Sequence, residues 1–390
     1  MKTKKTNLKK IAIIGSDPGS IMNFRKELIL EIKKSGFQPY IIVPKINSSQ
    51  KLQSFCKKYQ VHLSEIFIDR YSLNIFKELS SIFSILKAIL KIKPNCVITY
   101  TMKANLYGTL ASMILRVPIK ICLITGLGFF FRSKTSTARD LFISQLFRLI
   151  LRRADSIFFQ NSDDMNEFKK RDFFSENQNI LMIPGSGVNL NYYYFSKQPN
   201  NDNLTFLTIS RLLVDKGIID LFHLARNIYH KHVNINFLIV GGEEDGQNSI
   251  SESHLRLIRA QKNIQLVGKV EDVRPYIEKS NVLIHPSHHE GMPRSVLEAM
   301  SMGRPIITTN APGCRESIVH NLNGFIVEKG NWKSLNYAVE KFIINPRIIY
   351  DMSLQSRALA EKKFDVDIVN KKILDEIRRL SACQEESSLA

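Results

Sequence analysis

Two glutamates, Glu290 and Glu298, stand eight positions apart in the segment His285–Ile318, HPSHHEGMPRSVLEAMSMGRPIITTNAPGCRESI. An ionised carboxylate accepts hydrogen bonds from two neighbouring hydroxyls, and charged acceptors make the stronger bonds. A pair of such acids therefore suits a ligand with two polyol rings, a ribose and a hexose. Glu290 and Gly291 fall in a loop after a strand that ends at His285. Pro293 suits the first turn of the helix that follows, and this puts Glu298 on the helix body. Taken alone, either glutamate reads as a helix-start charge favoured by the dipole. A second group of residues is Ser210-Arg211-Leu212-Leu213-Val214-Asp215-Lys216-Gly217, after the apolar run Leu204–Ser210. Arg211 and Lys216 fall between a strand end and the next helix start, where phosphates settle in α/β folds. Two fixed cations there can neutralise a diphosphate as it leaves, a role that elsewhere falls to magnesium. Taken alone, they read as a solvated pair.

The third candidate is the tight turn Gly15-Ser16-Asp17-Pro18-Gly19-Ser20. Its glycines let backbone N–H groups approach a phosphate or a sugar. It is not a GxGxxG fingerprint, and no acid closes the second strand, which argues against a nicotinamide dehydrogenase. His285, His288 and His289 are neighbours on one loop, a poor arrangement for converging on a metal. Asp163-Asp164 mimics a metal-binding Asp-x-Asp but follows the strand Ser156–Gln160, so it is expected to cap a helix. No metal and no cofactor are expected.

These residues need a scaffold of strands with loops at one edge. In the first half, short β-branched or aromatic runs at Ile11–Gly15, Tyr40–Val43, Cys96–Tyr100, Ile119–Ile124, Ser156–Gln160 and Leu181–Pro184 alternate with helical periodicity such as Asn23–Ser35 and Ala104–Leu115. The pattern restarts at Leu204–Ser210, Asn236–Gly241, Ile264–Gly268, Val282–His285, Pro305–Thr308 and Gly324–Val327. Such alternation marks parallel α/β units, and 390 residues exceed what one core usually serves. The expected architecture is two Rossmann-like domains facing each other across a cleft. One domain spans 1–188 and the other 189–362. A helix over 363–380 packs back on the first domain, and a disordered tail covers 381–390. Ligands of such sheets bind at the carboxyl ends of the strands.

With Gly291, Pro293, Leu297–Ala299, Gly303, Pro305, Gly313 and Glu316 around them, Glu290 and Glu298 resemble the Glu-x7-Glu signature of family 4 glycosyltransferases, retaining enzymes of the GT-B fold. The resemblance implies that Glu290 contacts the transferred hexose and Glu298 the donor ribose. It also implies that Arg211 and Lys216 hold the diphosphate, with Glu290, Arg211 and Lys216 as the catalytic set. Gly15, Gly19, Gly291 and Met292 complete the implied donor site. Many family members carry a His after the third or fourth strand of the first half. Here that strand ends Thr99-Tyr100-Thr101-Met102-Lys103, and the His is absent. The stretches Tyr100–Gly108 and Thr125–Phe131 resemble a subgroup that builds O-antigens and capsules on undecaprenyl diphosphate. Tyr100, Lys103 and Thr125 are then expected at the acceptor. The implied reaction moves a hexose or N-acetylhexosamine, best N-acetylgalactosamine, from a UDP-sugar to a lipid-diphosphate-linked sugar.

Charge is one-sided. Residues 1–200 hold 31 Lys and Arg against 13 Asp and Glu, so nearly all of the net +19 lies in the first half. That predicts an anionic surface as partner for this half alone. No nucleic-acid motif accompanies the charge, whereas 73–93 and 137–153 are basic and amphipathic enough to lie on lipid. No run reaches the roughly 18 apolar residues of a membrane span. Residues 11–15 are too short for an export signal, and the five scattered cysteines suit a reducing compartment. The expected location is the inner face of a bacterial cytoplasmic membrane. The rival readings are a sugar-nucleotide epimerase, a phosphorylase-like enzyme (for whose pyridoxal no lysine context is evident), a GT-B transferase using another donor or a soluble acceptor, and a basic nucleic-acid-binding protein.

Overall fold

The computed structural model describes residues 9–69, 74–127, 138–175, 178–200, 203–244, 246 and 248–389. Leu73, residues 128–131 of the expected acceptor stretch and Thr137 lie outside the described residues.

The chain forms two compact units, one of residues 1–186 with 370–390 and the other of residues 187–369. In the first, β1 (Lys10–Ile14), α1 (Pro18–Phe24), α2 (Lys26–Lys34), β2 (Gln38–Val43), α3 (Gln50–Tyr59), β3 (His62–Glu65) and α4 (Ile75–Ile92) come first. They are followed by β4 (Cys96–Tyr100), α5 (Met102–Ile114), β5 (Ile119–Ile124), α6 (Ala138–Leu151), β6 (Ser156–Phe159), α7 (Ser162–Lys170) and β7 (Asn179–Met182). The seven strands are all parallel in the order β3-β2-β1-β4-β5-β6-β7. Because the chain winds outward from β1 and then restarts on its other side at β4, the sheet reverses direction of winding between β1 and β4. Ile14 pairs with Thr99 there, so the loops after Ile14 and Tyr100 emerge side by side.

The second unit holds β8 (Thr205–Ile209), α8 (Ile218–Lys231), β9 (Asn236–Val240), α9 (Glu252–Ala260), β10 (Ile264–Gly268), α10 (Arg274–Glu278) and β11 (Val282–His285). Next are α11 (Arg294–Ser301), β12 (Ile306–Thr309), β13 (Gly324–Val327), α12 (Trp332–Ile344), α13 (Arg347–Leu359) and the start of α14 (Val366–Leu389). Its six parallel strands run β10-β9-β8-β11-β12-β13, and the winding reverses between β8 and β11. Strand alternation divides the core into two layers. Phe206, Phe237, Ile284 and Ile307 pack on one face, and their neighbours Leu207, Leu238, Leu283 and Ile306 pack on the other.

Three local differences from the sequence have physical causes. The single helix expected over 23–35 breaks at Arg25, whose φ of −127° is not helical. Arg25 is 2% exposed, and its guanidinium lies 4.8 Å over the Tyr100 ring. The polar edge strand His62–Glu65 carries no apolar alternation that would announce it. The expected disordered tail is instead helical through Leu389. Glu385 pairs with Lys9 there, and Gln384 Nε2 donates to the Pro118 carbonyl at 3.4 Å. Earlier in the same helix, the carboxylate of Glu376 accepts from Ser156 and Asn179 of the first unit. Cys56, Cys96, Cys122 and Cys314 are buried, and Cys383 is exposed.

The segment leading into β8 is held by Arg304, which is fully buried. Its guanidinium donates to the carbonyls of Ile277 (2.9 Å), Ser196 (2.8 Å), Met302 (2.9 Å) and Lys197 (3.2 Å). Burial pushes it down to about 10. Removing this donor set leaves several buried carbonyls without a partner, at about 1–3 kcal/mol for each one that water cannot reach. Arg304→Leu is expected to lower unfolding stability by about 3 kcal/mol or more in urea titrations. A change below about 0.5 kcal/mol would show that these carbonyls do not depend on it.

Candidate active site

Lys216 sits in the loop between β8 and α8, and Glu290 in the loop between β11 and α11, on either side of the winding reversal. Lys216 Nζ donates to Glu290 Oε1 at 2.6 Å, with 11% and 20% of the two side chains exposed. His285, the last residue of β11, brings its Nε2 to 3.3 Å from the same oxygen.

The backbone fixes this geometry. Gly217 adopts φ +71°, and a Cβ there would stand 2.2 Å from the Pro286 carbonyl oxygen. The His288 N–H donates to the Asp215 carbonyl at 2.8 Å. From the other side, Gly313 at φ +76° lies so close that a Cβ would meet the Glu290 carbonyl oxygen at 2.2 Å, and the Glu290 N–H donates to the Pro312 carbonyl at 2.9 Å. Thr308 Oγ1 donates to the His285 carbonyl at 3.0 Å, and Thr309 Oγ1 donates to that of Ser287. The loops after β8 and β12, with the end of β12 itself, thus clamp the 285–291 segment, and only glycine fits at two of the contacts.

Burial pushes the Glu290 carboxyl up, but the ammonium of Lys216 and the nearby His285 imidazole outweigh it and hold the group well below the usual carboxylate range. Glu298, on α11, shifts the other way. Its burial outweighs Arg294, whose Nε lies 3.0 Å from Oε1, and the hydrogen bond from the Tyr193 hydroxyl, so its carboxyl is raised. The two acids therefore differ in charge preference, a common property of paired functional carboxylates.

Other expected residues have different partners. Arg211 lies two residues past β8, with Nη1 2.7 Å from Glu244 Oε2, and both side chains are well exposed. Exposed pairs of this kind are worth roughly 0–1 kcal/mol, so Arg211 is easily recruited elsewhere. Met292 packs against the core layer that holds Leu297 and Met300. In the first unit, Gly15 lies at the end of β1, where a Cβ would meet the Tyr100 hydroxyl at 2.2 Å; Gly19 lies in the first turn of α1. Thr125 follows β5 and is half-buried.

Tyr100 and Lys103, expected at the acceptor, both have partners within the first unit. Tyr100 is 2% exposed and its hydroxyl is 2.7 Å from Ser20 Oγ, so it braces the glycine turn. Lys103 is buried, and its Nζ donates to Glu78 Oε1 and to the Asp69 carbonyl, each at 2.7 Å. It ties α5 to α4. At Asp163-Asp164 the cap is Asn161, which accepts from the Asp164 N–H, and the two acids occupy the first turn of α7. Among the described residues, no group of three His, Cys, Asp or Glu side chains is placed to hold a metal ion.

Thr101 has no conspicuous sequence signal. It joins β4 to α5 at φ +70° and ψ 149°, a conformation almost reserved for glycine, and makes no side-chain cap to α5. Among the described residues, its buried Oγ1 has no hydrogen-bond partner. Such strain costs about 1–3 kcal/mol and concentrates at functional edges. Tyr193 was equally hidden, because only the fold brings it to Glu298.

The chain matches the family described as "Glycosyl transferases group 1" over residues 193–360 and "Glycosyl transferase 4-like" over residues 11–161. It is 28% identical over 324 residues to the capsular polysaccharide biosynthesis glycosyltransferase CapM of Staphylococcus aureus, covering 80% of this chain and 84% of that protein. It is 25% identical over 379 residues to the N,N'-diacetylbacillosaminyl-diphospho-undecaprenol alpha-1,3-N-acetylgalactosaminyltransferase of Campylobacter jejuni, covering 94% of this chain and 97% of that one. The crystal structure of a glycosyltransferase from Rickettsia africae shares the fold, with a TM-score of 0.74 at 19% identity over 96% of this chain and 99% of that one.

Two measurements test this geometry. Because the folded pKa of Glu290 is depressed, its pair contributes stability above the unfolded value of about 4.3 and loses it as pH falls through the folded value. Glu290→Gln should therefore flatten the fall in stability on the acid side of about pH 4.3. An acid limb identical to the parent's would reject the pairing. Thr101→Gly should raise the unfolding temperature, since relieving about 1–3 kcal/mol of strain exceeds the entropic cost of glycine. A fall in that temperature would mean the backbone there is unstrained.

Proposed function

Since the chain belongs to the glycosyltransferases of the GT-B fold, we propose that it transfers a hexose or N-acetylhexosamine from a UDP-sugar to a sugar carried on a lipid diphosphate, in the assembly of a surface polysaccharide. The observation that carries the reading is the Lys216–Glu290 contact at the winding reversal of the second sheet, the place where α/β sheets take their ligands. The Campylobacter jejuni relative, matched over nearly its whole length, is named for transfer of N-acetylgalactosamine to a diphospho-undecaprenol-linked sugar. That supports N-acetylgalactosamine as the donor sugar and a lipid diphosphate as the acceptor's carrier. It also favours work at the inner face of a cytoplasmic membrane. Among the described residues no helix is long and apolar enough to cross one.

In the proposed reaction the second unit holds the donor and the first unit the acceptor. Glu298 accepts from the ribose hydroxyls and Glu290 from the hexose. An ammonium carries three hydrogens, so Lys216 can bond Glu290 and the phosphate oxygens together. Arg211 leaves Glu244 to join it. As the bond from the anomeric carbon to the phosphate oxygen breaks, negative charge grows on the diphosphate beside these two cations. The acceptor hydroxyl forms its bond to that carbon from the same face, and its proton goes to the departing phosphate oxygen. This order retains the anomeric configuration and gives the cations the part that a metal plays elsewhere.

Incubation with radiolabelled sugar nucleotides and a bacterial lipid extract tests the reading directly, and label should enter the lipid fraction from a UDP-sugar. Glu290→Gln should lower kcat/KM for that transfer by about 10²–10³. UDP affinity by calorimetry should stay within a few-fold. Glu290→Ala and Lys216→Ala are less informative, because each leaves a buried charge without its partner and is expected to destabilise the fold as well. Transfer at the parent rate by Glu290→Gln would remove Glu290 from the reaction.

A further inference from the structure

In the first unit, apolar side chains that face water concentrate on one helix. On α4, Ile75 is 68% exposed, Phe76 77%, Phe83 67% and Leu90 60%, with Leu79 at 46%. At about 100° per residue these five fall in a single stripe. Ser81, Ile85, Ala88, Ile89 and Ile92 form a separate, buried stripe that packs against the core. Exposed Lys77, Lys87 and Lys91 lie between the two. A helix needs only one apolar face to dock on its own domain, so the second is unexplained by folding.

We propose that this outer face of α4 is a docking surface for an anionic lipid bilayer, and that it sets the bilayer beside the ligand edge of the first unit. The inference rests on the acceptor being lipid-linked. Two features favour lipid over a second copy of the chain. The first is charge: residues 1–200 carry 31 Lys and Arg against 13 Asp and Glu. Self-association through this half would set like charges together, whereas anionic headgroups neutralise them. The second is composition, since an apolar stripe of Phe, Ile and Leu beside lysines matches helices that lie in the headgroup–acyl boundary.

Position along the helix makes the surface relevant to the reaction. Helices that cover a parallel sheet run against its strands, so the N-terminal end of α4 lies at the carboxyl edge, as that of α5 does. A buried tie joins the two ends. Glu78, in the first turn of α4, accepts from Lys103 Nζ at 2.7 Å and from the Tyr107 hydroxyl at 2.5 Å. Lys103 comes two residues after the strained Thr101, at the end of β4. Lys103, expected at the acceptor, therefore acts as a positioning residue that fixes the start of α5 to the lipid-facing helix. The second basic amphipathic stretch lacks such a face. In α6, Phe147, Ile150 and Leu151 are buried, which leaves only the separated Leu141 and Leu149 well exposed among its described apolar side chains.

The test uses the full chain and sedimentation with two vesicle types, phosphatidylcholine alone and phosphatidylcholine with phosphatidylglycerol. The protein is expected to pellet with the phosphatidylglycerol vesicles and to be released by salt. Phe76→Ser with Phe83→Ser should weaken that partition by about ten-fold or more. Leu141→Ser with Leu149→Ser should change it by less than about two-fold. UDP affinity by calorimetry, equal in all variants, shows that the variants fold and that the donor site is separate. Pelleting of the Phe76/Phe83 variant like the parent would overturn the proposal. So would a parent dimer, formed without lipid, that this variant dissociates. If no nucleotide sugar is transferred to any lipid, the catalytic reading fails, and the vesicle result still stands or falls by itself.

Discussion

A buried ammonium 2.6 Å from a half-buried carboxylate is costly to assemble, because both ions lose much of their water. Lys216 and Glu290 meet that cost only because the backbone has already placed them. They sit on loops after β8 and β11, adjacent strands on either side of the winding reversal. Gly217 and Gly313 let neighbouring loops approach within distances that any side chain would forbid. Much of the second unit's ligand edge is organised around holding this contact. His285 is buried at the end of β11, the threonines of β12 hold its carbonyl and that of Ser287, and Asp215 takes a loop N–H through its own carbonyl. The net electrostatic result is a carboxylate that stays ionised despite burial, with an ammonium aimed at the same spot.

Within each unit, topology assigns the chemistry. The first sheet's reversal lies between β1 and β4, and there the glycine turn is braced by Ser20, Tyr100 and the cation of Arg25. Aromatic and hydroxyl groups hold that edge rigid, and Thr101 stores strain in it. The second sheet's reversal carries the charged pair. The same architecture therefore offers a firm, weakly charged edge in one unit and an electrostatic trap in the other.

Much of this was legible before any coordinates. Cys96–Tyr100, Ile119–Ile124, Ile264–Gly268, Val282–His285 and Gly324–Val327 appear as strands at those same bounds, because runs this short, rich in β-branched residues and bounded by turn residues, suit buried strands better than helices. Glu290, Glu298, Arg211 and Lys216 stood out through spacing and through glycines and prolines that only a specific loop requires. What stayed hidden depends on contacts distant in sequence. Nothing near Tyr193 announces that it will donate to Glu298, and nothing near Arg25 announces the ring of Tyr100. Lys103 shows the same dependence on the fold. A lysine after a strand has the right address for a ligand, and only the fold reveals Glu78 beneath it. The C-terminal residues looked disordered because their composition is polar, yet Lys9 and Pro118 give them partners.

In the proposed reaction, Lys216 and Arg211 divide their labour by solvent exposure. Lys216 is held in place before any ligand arrives, so its geometry costs little to use at the moment charge develops. Arg211 is tethered to Glu244 in water, in a pair worth roughly 0–1 kcal/mol, so swinging it toward an anion costs almost nothing. A preset cation contributes orientation, and a recruited one contributes charge only when an anion is present to draw it. Had both been buried and fixed, the empty site would hold uncompensated positive charge beyond what Glu290 can balance, and the desolvation penalty would fall on the fold itself. One buried pair and one exposed, exchangeable arginine is an arrangement that limits the charge buried in this domain while leaving two cations for the proposed diphosphate.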